Sequence, residues 1–358
     1  MRLVLLFLGT VAAVLALLMA LTRWMDPFGQ FYDAGVLSAA AAGREPCLIS
    51  EDLVGSGSWA SFKEQVYRVR SPRTIVVGTS RVLKMVSRTG ERGFANLGIP
   101  GTGIETLDPL FRRLHEERPG PLTVYIGVEL FWFNPRWRSP VTLGSGWLSD
   151  VRYLLARQNV GRSVWLVVHD LRFFLHRWER ERIGRRCALD RGARVRDGER
   201  DAWAVDGSFV YRSEVLGVPI PPVFAAANPV DPHGYYYGGW HHFDRGRLRR
   251  LAAVLELARS YGWRVVGFSP PATSRYASVL AATAQTAPRL REFRALVPTV
   301  FGRAGFLFVD LGRAPVVPCA ETAFYRDSWH AKQPCMDAVR RRLDKAAGRV
   351  SERVAPRP

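Results

Sequence analysis

The sequence predicts an α/β fold built on a parallel sheet, and three observations carry this prediction. Apolar runs of strand length recur along the chain, the first at Thr74–Val77 and another at Leu122–Gly127. Segments with helical periodicity lie between them, such as Ile104–Glu117, whose apolar residues recur every three or four positions. Strands and helices that alternate at this spacing are typical of βαβ units, in which successive strands lie parallel.

The most apolar stretch of the chain runs from Leu3 to Leu21, without a charged residue, between Arg2 and Arg23. Its length is close to the ~20 residues that a membrane-spanning helix needs. A cleaved signal peptide usually has a shorter apolar core and a small-x-small cleavage site, which Leu18-Met19-Ala20 matches poorly. We therefore expect residues 1–23 to form an uncleaved, single-pass anchor in the inner (cytoplasmic) membrane, with the remaining chain on the extracytoplasmic, periplasmic side.

The composition after the anchor divides the remaining chain. Gly- and Ser-rich sequence through Ser58 is typical of a tether with little regular structure, and we assign residues 24–70 to a tether and lead-in. Residues 71–355 are expected to form one α/β domain. Between about residues 130 and 243 the alternation stops, and the segment is rich in Trp, Tyr, Pro, Gly and Arg. Since so long a structureless loop is improbable, we interpret it as an insertion or cap, with a helix at Val151–Arg182. Its aromatic side chains suit stacking on sugar rings, or simply the core of a small cap.

The α/β alternation resumes after this insertion. A basic amphipathic helix is predicted at Arg245–Tyr261 and a strand at Arg264–Phe268. Helical segments follow at Ser274–Leu296, and a last strand is predicted at Gly305–Leu311. A closing helix is predicted from about Pro334 to Val350.

The formal net charge of +19 at pH 7 raises the question of nucleic-acid binding. Nearly all of this charge is arginine spread along the chain, and it forms no single basic arm. An exported, membrane-tethered domain meets anionic lipid headgroups and acidic glycans instead. We therefore expect no nucleic-acid partner.

The potential metal ligands of the chain lack the spacing of a metal site. No CxxC motif occurs among the four cysteines, Cys47, Cys187, Cys319 and Cys335. The histidines His233, His241 and His242 lack a carboxylate pattern beyond Asp231 and Asp244, so surface or packing roles are favoured. We expect neither a metal nor another cofactor. An exported domain permits disulfides, and a bridge between Cys319 and Cys335 would pin the loop between them; free buried thiols are the open alternative.

The first predicted strand ends in a turn that carries a candidate nucleophile. Gly78 allows a sharp turn, Ser80 follows at the carboxyl end of the strand, and Arg81–Ser87 is predicted to be the next helix. Backbone N–H groups at a helix N-terminus favour a developing anion, as an acyl-transfer nucleophile requires. The alternative is a serine N-cap on an ordinary βα turn.

A second candidate group follows the last predicted strand. Asp327 and His330 are spaced i, i+3, which lets the carboxylate reach the imidazole across one turn. Such a carboxylate fixes the tautomer of a histidine that removes a proton from a serine hydroxyl. Because both segments follow parallel strands, the pair is expected at the same edge of the sheet as Ser80.

The chain resembles the SGNH (GDSL-like) hydrolase superfamily in Gly78-Thr79-Ser80, Asn96-Leu97-Gly98-Ile99-Pro100-Gly101 and Asp327-Ser328-Trp329-His330. The resemblance implies a flavodoxin-like, three-layer parallel sheet with Ser80 as nucleophile, His330 as general base and Asp327 as its orienting acid. It also implies an oxyanion hole formed by Gly98 or Gly101, with Asn96 as a further donor. An α/β-hydrolase fits less well, because Val82 stands where its motif has glycine.

The chain departs from this family at Gly127-Val128-Glu129-Leu130, where the family's third motif is Gly-x-Asn-Asp. An ionised Glu129 cannot donate to an oxyanion, and loss of one such donor typically costs ~10²–10³ in rate. Either another group substitutes, with Asn96 and Asn134 as candidates, or the chain belongs to a branch of the family that lacks this motif. Glu129 itself is interpreted as a partner of one of the many arginines or, less simply, as a second acid.

The anchor, Gly-Thr-Ser-Arg and the late Asp-x-x-His together resemble exported SGNH-like proteins of exopolysaccharide O-acetylation, such as alginate acetylation proteins. Proteins of teichoic-acid D-alanylation are broadly similar. The resemblance implies a membrane-bound O-acyltransferase as partner and a cell-surface polysaccharide as substrate, with Arg81 and Trp329 as weaker candidates for substrate contact.

Three functions follow as hypotheses. The first is a serine acyltransferase or esterase that acts on O-acyl groups of that polysaccharide. The second is a catalytically silent scaffold or glycan-binding component of a polysaccharide modification or secretion complex, which the departure at Glu129 favours. The third is a basic module that binds acidic glycan or a membrane surface.

Overall fold

The structure is a computed structural model that describes residues 2–25, 48–50, 59–88, 91–139, 141, 151, 154–155, 160–161, 163–164, 168, 202–211, 236–312, 319–324 and 329–354. It divides into two compact units. Residues 1–65 and 143–205 belong to the first, which we call the anchor unit. Residues 66–142 and 206–358 belong to the second, which we call the α/β unit.

The helices and strands of the described residues are each numbered in chain order. The helices are α1 (Arg2–Met25), α2 (Trp59–Arg70), α3 (Ile104–Glu117), α4 (Arg245–Ser260), α5 (Ser274–Ala282), α6 (Ala287–Arg303) and α7 (Gln333–Val354). The strands are β1 (Leu48–Ser50), β2 (Thr74–Val77), β3 (Phe94–Asn96), β4 (Thr123–Gly127), β5 (Ala202–Ala204), β6 (Phe209–Val210), β7 (Arg264–Ser269) and β8 (Leu307–Asp310). Short 3₁₀ helices lie at Ser80–Val82, Leu130–Phe133 and Glu321–Ala323.

The anchor unit contains α1, which is long and apolar enough to cross a membrane, as the sequence predicts. It also contains β1, which pairs antiparallel with β5. The fully buried indole of Trp203 contacts Phe62 and lies under the Lys63 ammonium at 4.3 Å. The segment is predicted to have little regular structure, and β1 is a short strand that the sequence does not predict, because its partner strand lies about 150 residues away and leaves no local signal.

The α/β unit is built on a five-stranded parallel sheet with the order β3-β2-β4-β7-β8. Counted along the chain this is the order 2-1-3-4-5 of doubly wound sheets, whose topological switch point lies between the first and third strands. Here that point lies between β2 and β4. The prediction of an α/β fold with a parallel sheet is confirmed, and the architecture is compatible with three layers.

Helices cover both faces of the sheet, which explains why its strands are apolar on both sides. On one face, Val76 and Tyr125 belong to the same buried cluster as Met336, Val339 and Leu343 of α7. On the other face α6 packs so closely that a Cβ on Gly267 would lie 2.3 Å from the Phe301 ring. Helix α4 packs beside α3 and α6.

The segment after β2 differs from the predicted helix at 81–87. Only Ser80–Val82 is helical, as one 3₁₀ turn. The Asn96 amide donates to the carbonyls of Val82 and Met85, at 2.8 and 2.9 Å, and so ties this segment to the end of β3. Val82 is fully buried, and a Cβ on either Gly98 or Gly127 would lie 2.5 Å from its side chain. Packing of Val82 into the sheet edge therefore replaces the helix.

The expected insertion at about 130–243 is only partly described, and most of the predicted helix at 151–182 lies outside the described residues. Its described parts in the α/β unit are residues 130–139, 141, 206–211 and 236–243. The Asp206 carbonyl accepts from the Asn96 N–H at 2.6 Å, and the Phe209 N–H donates to the Leu83 carbonyl. This segment thus covers the edge of β3.

Candidate active site

The two principal candidates from the sequence, Ser80 and His330, are in hydrogen-bonding contact. The His330 Nε2 atom lies 2.7 Å from the Ser80 Oγ. Ser80 stands three residues after β2, where Gly78 takes a φ of +149° that disfavours any side chain. His330 lies in the loop between β8 and α7, and both side chains are partly exposed. A neutral imidazole at this distance can accept the serine proton.

The loop that carries His330 is fastened on both sides. A disulfide joins Cys319 to Cys335, as the sequence allowed. An antiparallel bridge pairs Phe324 with Ala331, the residue after His330. The predicted third member of a triad, Asp327, lies outside the described residues, as do Cys47 and Cys187.

The predicted oxyanion donors Asn96 and Gly98 donate to the protein itself. The Asn96 side chain is fully buried, and its amide donates to two carbonyls of the segment after Ser80. Its Oδ1 accepts from the Gly98 N–H at 2.9 Å. In the geometry observed, these groups shape the turn that follows Ser80 and are not available to a substrate.

Gly101 is the remaining predicted donor, and the backbone N–H of Ser80 is a further candidate. The Thr102 N–H donates to the Ile99 carbonyl, and Gly101 has a φ of +72°, which defines a type II turn with Pro100 at its second position. Ser80 is the first residue of its 3₁₀ turn, where backbone N–H groups lack intrahelical acceptors. Among the described residues, no protein acceptor receives the Ser80 N–H. It is therefore the donor nearest the nucleophile.

Glu129 is buried between the two residues that flank Ser80. Its Oε1 accepts from the Thr79 hydroxyl at 2.8 Å, and its Oε2 accepts from the Arg81 Nη1 at 2.8 Å. The Glu129 side chain is 1% exposed and that of Arg81 is 7% exposed. The interpretation of Glu129 as the partner of an arginine is thus confirmed, and the partner is adjacent to the candidate nucleophile.

Arg81 joins the ends of several strands. Its Nε donates to the Trp329 carbonyl at 3.1 Å, and its Nη2 donates to the carbonyls of Pro270 and Pro271 at 2.9 and 2.6 Å. With the bond to Glu129, these occupy four of the five N–H donors of a guanidinium. Arg81 therefore holds protein groups together at this site instead of reaching outward, as the sequence-based expectation of substrate contact would require.

Trp329 sits in an aromatic cluster beside His330. Its ring centroid lies 4.8 Å from that of Tyr236, 5.9 Å from that of Tyr276 and 5.2 Å from the His330 ring. The hydroxyls of Tyr237 and Tyr276 lie 3.1 Å apart, and burial raises the pKa of Tyr237 well above its ordinary value. Trp329 is half-buried, so one part of its ring stays available at the surface.

A cavity of about 460 Å³, part of it open to solvent, lies behind the Arg81–Glu129 pair. Apolar side chains of α5 and α6, among them Leu280 and Phe293, form much of its wall. Its polar groups are bonded to one another: Ser269 donates to Asp310 at 2.6 Å, and Arg294 donates to the same carboxylate at 3.1 Å.

The other sequence candidates lie apart from this site. Asn134 is buried; its amide donates to the Tyr236 carbonyl and accepts from the Arg136 N–H. His241 and His242 are exposed, and His233 lies outside the described residues. Within the described ranges, no group of three or more His, Cys, Asp or Glu side chains could hold a metal ion.

Sequence reasoning did not identify Thr79 as a functional candidate or Arg81 as the partner of Glu129. The available signal was position in the chain: Thr79 and Arg81 follow β2, Glu129 follows β4, and these neighbouring parallel strands end at the same edge of the sheet. Comparison with models of known protein families and with curated proteins finds no match for this chain.

Proposed function

We propose that this protein is a membrane-anchored, extracytoplasmic SGNH-like serine acyltransferase or esterase that acts on O-acyl groups of a cell-surface polysaccharide. The single observation that carries the proposal is the 2.7 Å contact between the Ser80 Oγ and the His330 Nε2. The resemblance in Gly78-Thr79-Ser80 and Asp327-Ser328-Trp329-His330 supports the choice of family. The apolar helix α1 supports the anchor.

In the proposed reaction, His330 Nε2 removes the Ser80 proton as the oxygen attacks the carbonyl carbon of an O-acyl donor. The Ser80 N–H, with Gly101 as second candidate, stabilises the oxyanion of the tetrahedral intermediate. Its collapse breaks the bond to the leaving alcohol oxygen, which receives the proton from the imidazolium. An acyl-serine results.

In the second half, His330 removes the proton from an acceptor hydroxyl that attacks the acyl-serine, and Ser80 is regenerated with that proton. A sugar hydroxyl as acceptor gives transfer, whereas water gives hydrolysis. Asp327 is assigned the role of orienting the His330 ring. The acyl group would come from a membrane-bound O-acyltransferase, which the family resemblance implies. No metal or other cofactor has a step in this scheme.

A catalytically silent scaffold or glycan-binding component is the second candidate. It is favoured by the buried carboxylate of Glu129 where the family has an oxyanion-holding Asn, and by the internal hydrogen bonds of Asn96 and Gly98. Such a protein would keep the Ser80–His330 contact without using it.

The test is labelling of the full-length protein in detergent with a fluorophosphonate, which reacts with activated serines. We expect labelling of the wild type and its loss in Ser80→Ala and in His330→Ala. Ser260→Ala, at the exposed end of α4, and His242→Ala are controls that should label as the wild type does. A folded wild-type protein that does not label would favour the scaffold.

A further inference from the structure

We infer that Glu129 is a positioning residue that, through Thr79 and Arg81, sets the distance between Ser80 and His330. The inference rests on the proposed function, because it assigns Glu129 a part in that reaction. The carboxylate touches neither reacting atom; it acts through its two neighbours. This role is supported in three steps, at the serine, at the histidine and at the buried charge.

The first step concerns the serine. Thr79 and Arg81 are the residues immediately before and after Ser80, and each donates a 2.8 Å hydrogen bond to a different oxygen of Glu129. The Thr79 hydroxyl also accepts from the Arg81 N–H at 3.3 Å. Since Glu129 follows β4 and Ser80 follows β2, the carboxylate fixes the nucleophile against the neighbouring strand.

The second step concerns the histidine. Arg81 donates through Nε to the carbonyl of Trp329, the residue before His330. The same guanidinium thus bonds to Glu129 on one side and to the histidine loop on the other. A continuous path, Thr79–Glu129–Arg81–Trp329, connects the backbone of the serine to that of its base. A misplacement of about 1 Å can cost on the order of 10²-fold in rate.

The third step concerns charge. Burial lowers the pKa of Arg81, but the attraction of Glu129, together with smaller contributions of Tyr276 and Tyr237, more than offsets this, so that the net direction is upward. Arg81 therefore carries its charge, and the buried pair is balanced internally. Both oxygens of Glu129 already accept hydrogen bonds, so the pairing explains how a carboxylate is tolerated beside a developing oxyanion.

The experiment compares fluorophosphonate labelling rates of full-length Glu129→Gln, Thr79→Val and Thr79→Ser proteins. We expect Glu129→Gln to label about 10²-fold more slowly and Thr79→Val about 10-fold more slowly. Thr79→Ser keeps the hydroxyl and should recover most of the wild-type rate. The matched control is Arg247→Lys, another buried arginine bonded to three backbone carbonyls and a carboxylate, which should label normally once corrected for folded fraction.

A second readout separates positioning from mere stability. Glu129→Gln leaves the Arg81 charge unbalanced, which disfavours a protonated His330, so the pH profile of labelling should move to lower pH. Arg81→Met leaves the Glu129 charge unbalanced, and the profile should move to higher pH. Histidine-selective NMR titration of His330, assigned with His330→Ala, measures the same shifts without any reaction.

The outcomes distinguish the two proposals. Wild-type rates and unshifted profiles in Glu129→Gln and Thr79→Val would overturn the positioning role while leaving the proposed function intact. A wild type that does not label would contradict the proposed function. In that case opposite shifts of the His330 titration in Glu129→Gln and Arg81→Met would still support the positioning role, and coincident titrations would overturn it.

Discussion

Two buried arginines in the α/β unit bond to the same kinds of group, three backbone carbonyls and a carboxylate, but have different structural roles. Arg81 donates to three backbone carbonyls and to Glu129. Arg247 donates to the carbonyls of Trp132, Asn134 and Trp137 and contacts Glu105 at 3.1 Å. Their side chains are 7% and 5% exposed, so burial does not distinguish them.

The carboxylate partners do distinguish them. Glu129 is 1% exposed, whereas Glu105 is 30% exposed. Burial lowers the pKa of Arg247, and the coulombic attraction of Glu105 and Asp244 does not fully offset it. For Arg81 the net direction of the pKa is upward, and the buried Glu129 carboxylate is the largest of the causes that raise it. The charge of Arg81 is thus balanced by a carboxylate that is buried with it. The charge of Arg247 is balanced by a carboxylate that is partly exposed to solvent.

The backbone groups that each arginine holds explain why this matters. Arg247 fixes three carbonyls of one short segment, residues 132–137, against the first turn of α4. Arg81 connects loops that follow β2, β4, β7 and β8. Similar arginine clusters therefore serve either local stability or the alignment of distant segments, depending on which backbone segments they bond.

The largest effect on stability is expected for Arg247→Met. It removes the donor to three carbonyls, of which, among the described residues, only that of Asn134 keeps another donor, the Trp137 N–H, and it takes from Glu105 its nearer arginine, so the free energy of unfolding should fall by about 4 kcal/mol. Urea unfolding of the full-length protein in detergent, followed by tryptophan fluorescence, measures this loss. The fluorophosphonate labelling rate per folded molecule should stay at the wild-type value; a rate that falls with stability would break the distinction between the two arginines.

The disulfide that closes the His330 loop should have the next largest effect. Cys319→Ser with Cys335→Ser removes a cross-link over a 16-residue separation, which is worth about 3 kcal/mol of unfolding free energy. Because Arg81 bonds to Trp329 inside this loop, the labelling rate should fall as well. Arg247→Lys is the control, since it lowers stability without touching the loop. Unchanged labelling of the variant that lacks both cysteines would show that the bond from Arg81 to the Trp329 carbonyl places His330 without the disulfide.

Packing beneath the nucleophile gives a smaller effect. In Gly98→Ala the new Cβ would lie 2.5 Å from a Val82 methyl, and such overpacking costs about 2 kcal/mol. Val82→Ala removes that methyl, so the double variant should lose less than the sum of the single losses. A double-mutant cycle of unfolding free energies measures the coupling. Additive losses would mean that the Ser80 turn relaxes independently of Val82.

The smallest effect is expected for the ion pair between Arg340 and Glu91, whose carboxylate is partly open to water. Burial raises the pKa of Glu91, but hydrogen bonds from Arg340 and from the Arg88 N–H more than offset it and lower the pKa from 4.5. Its stabilising contribution is therefore present above the unfolded pKa and is lost as pH falls through the lowered folded pKa. Glu91→Gln should cost about 0.5 kcal/mol at neutral pH, because the pair is partly exposed. Unfolding measured across this pH range should show the difference disappearing in acid, and a constant difference would contradict the pairing.

The predicted α/β pattern matched much of the chain because its evidence is local. Ile104–Glu117 is a helix over the predicted bounds, and Thr123–Gly127 is a strand one residue shorter than predicted. In the helix the apolar period matches the face that becomes buried, and in the strand the continuous apolar run matches burial on both faces. Helix α2 was missed because it lies in a segment assigned to the lead-in, and the helix after Ser80 was predicted wrongly because Asn96 and Val82 act across the sheet.

The sequence by itself determined the main strands of the parallel sheet (β2, β4, β7 and β8), the glycine-bounded turn that presents Ser80, the apolar N-terminal helix and the candidacy of His330. Only the tertiary structure decided that the serine and histidine meet at 2.7 Å, and that Glu129 pairs with Arg81 rather than with another arginine. The physical reason is that periodicity reports on neighbours within one element. The strand order of the sheet, which brings residues 50 and 250 positions apart to one edge, depends on packing among all the elements at once.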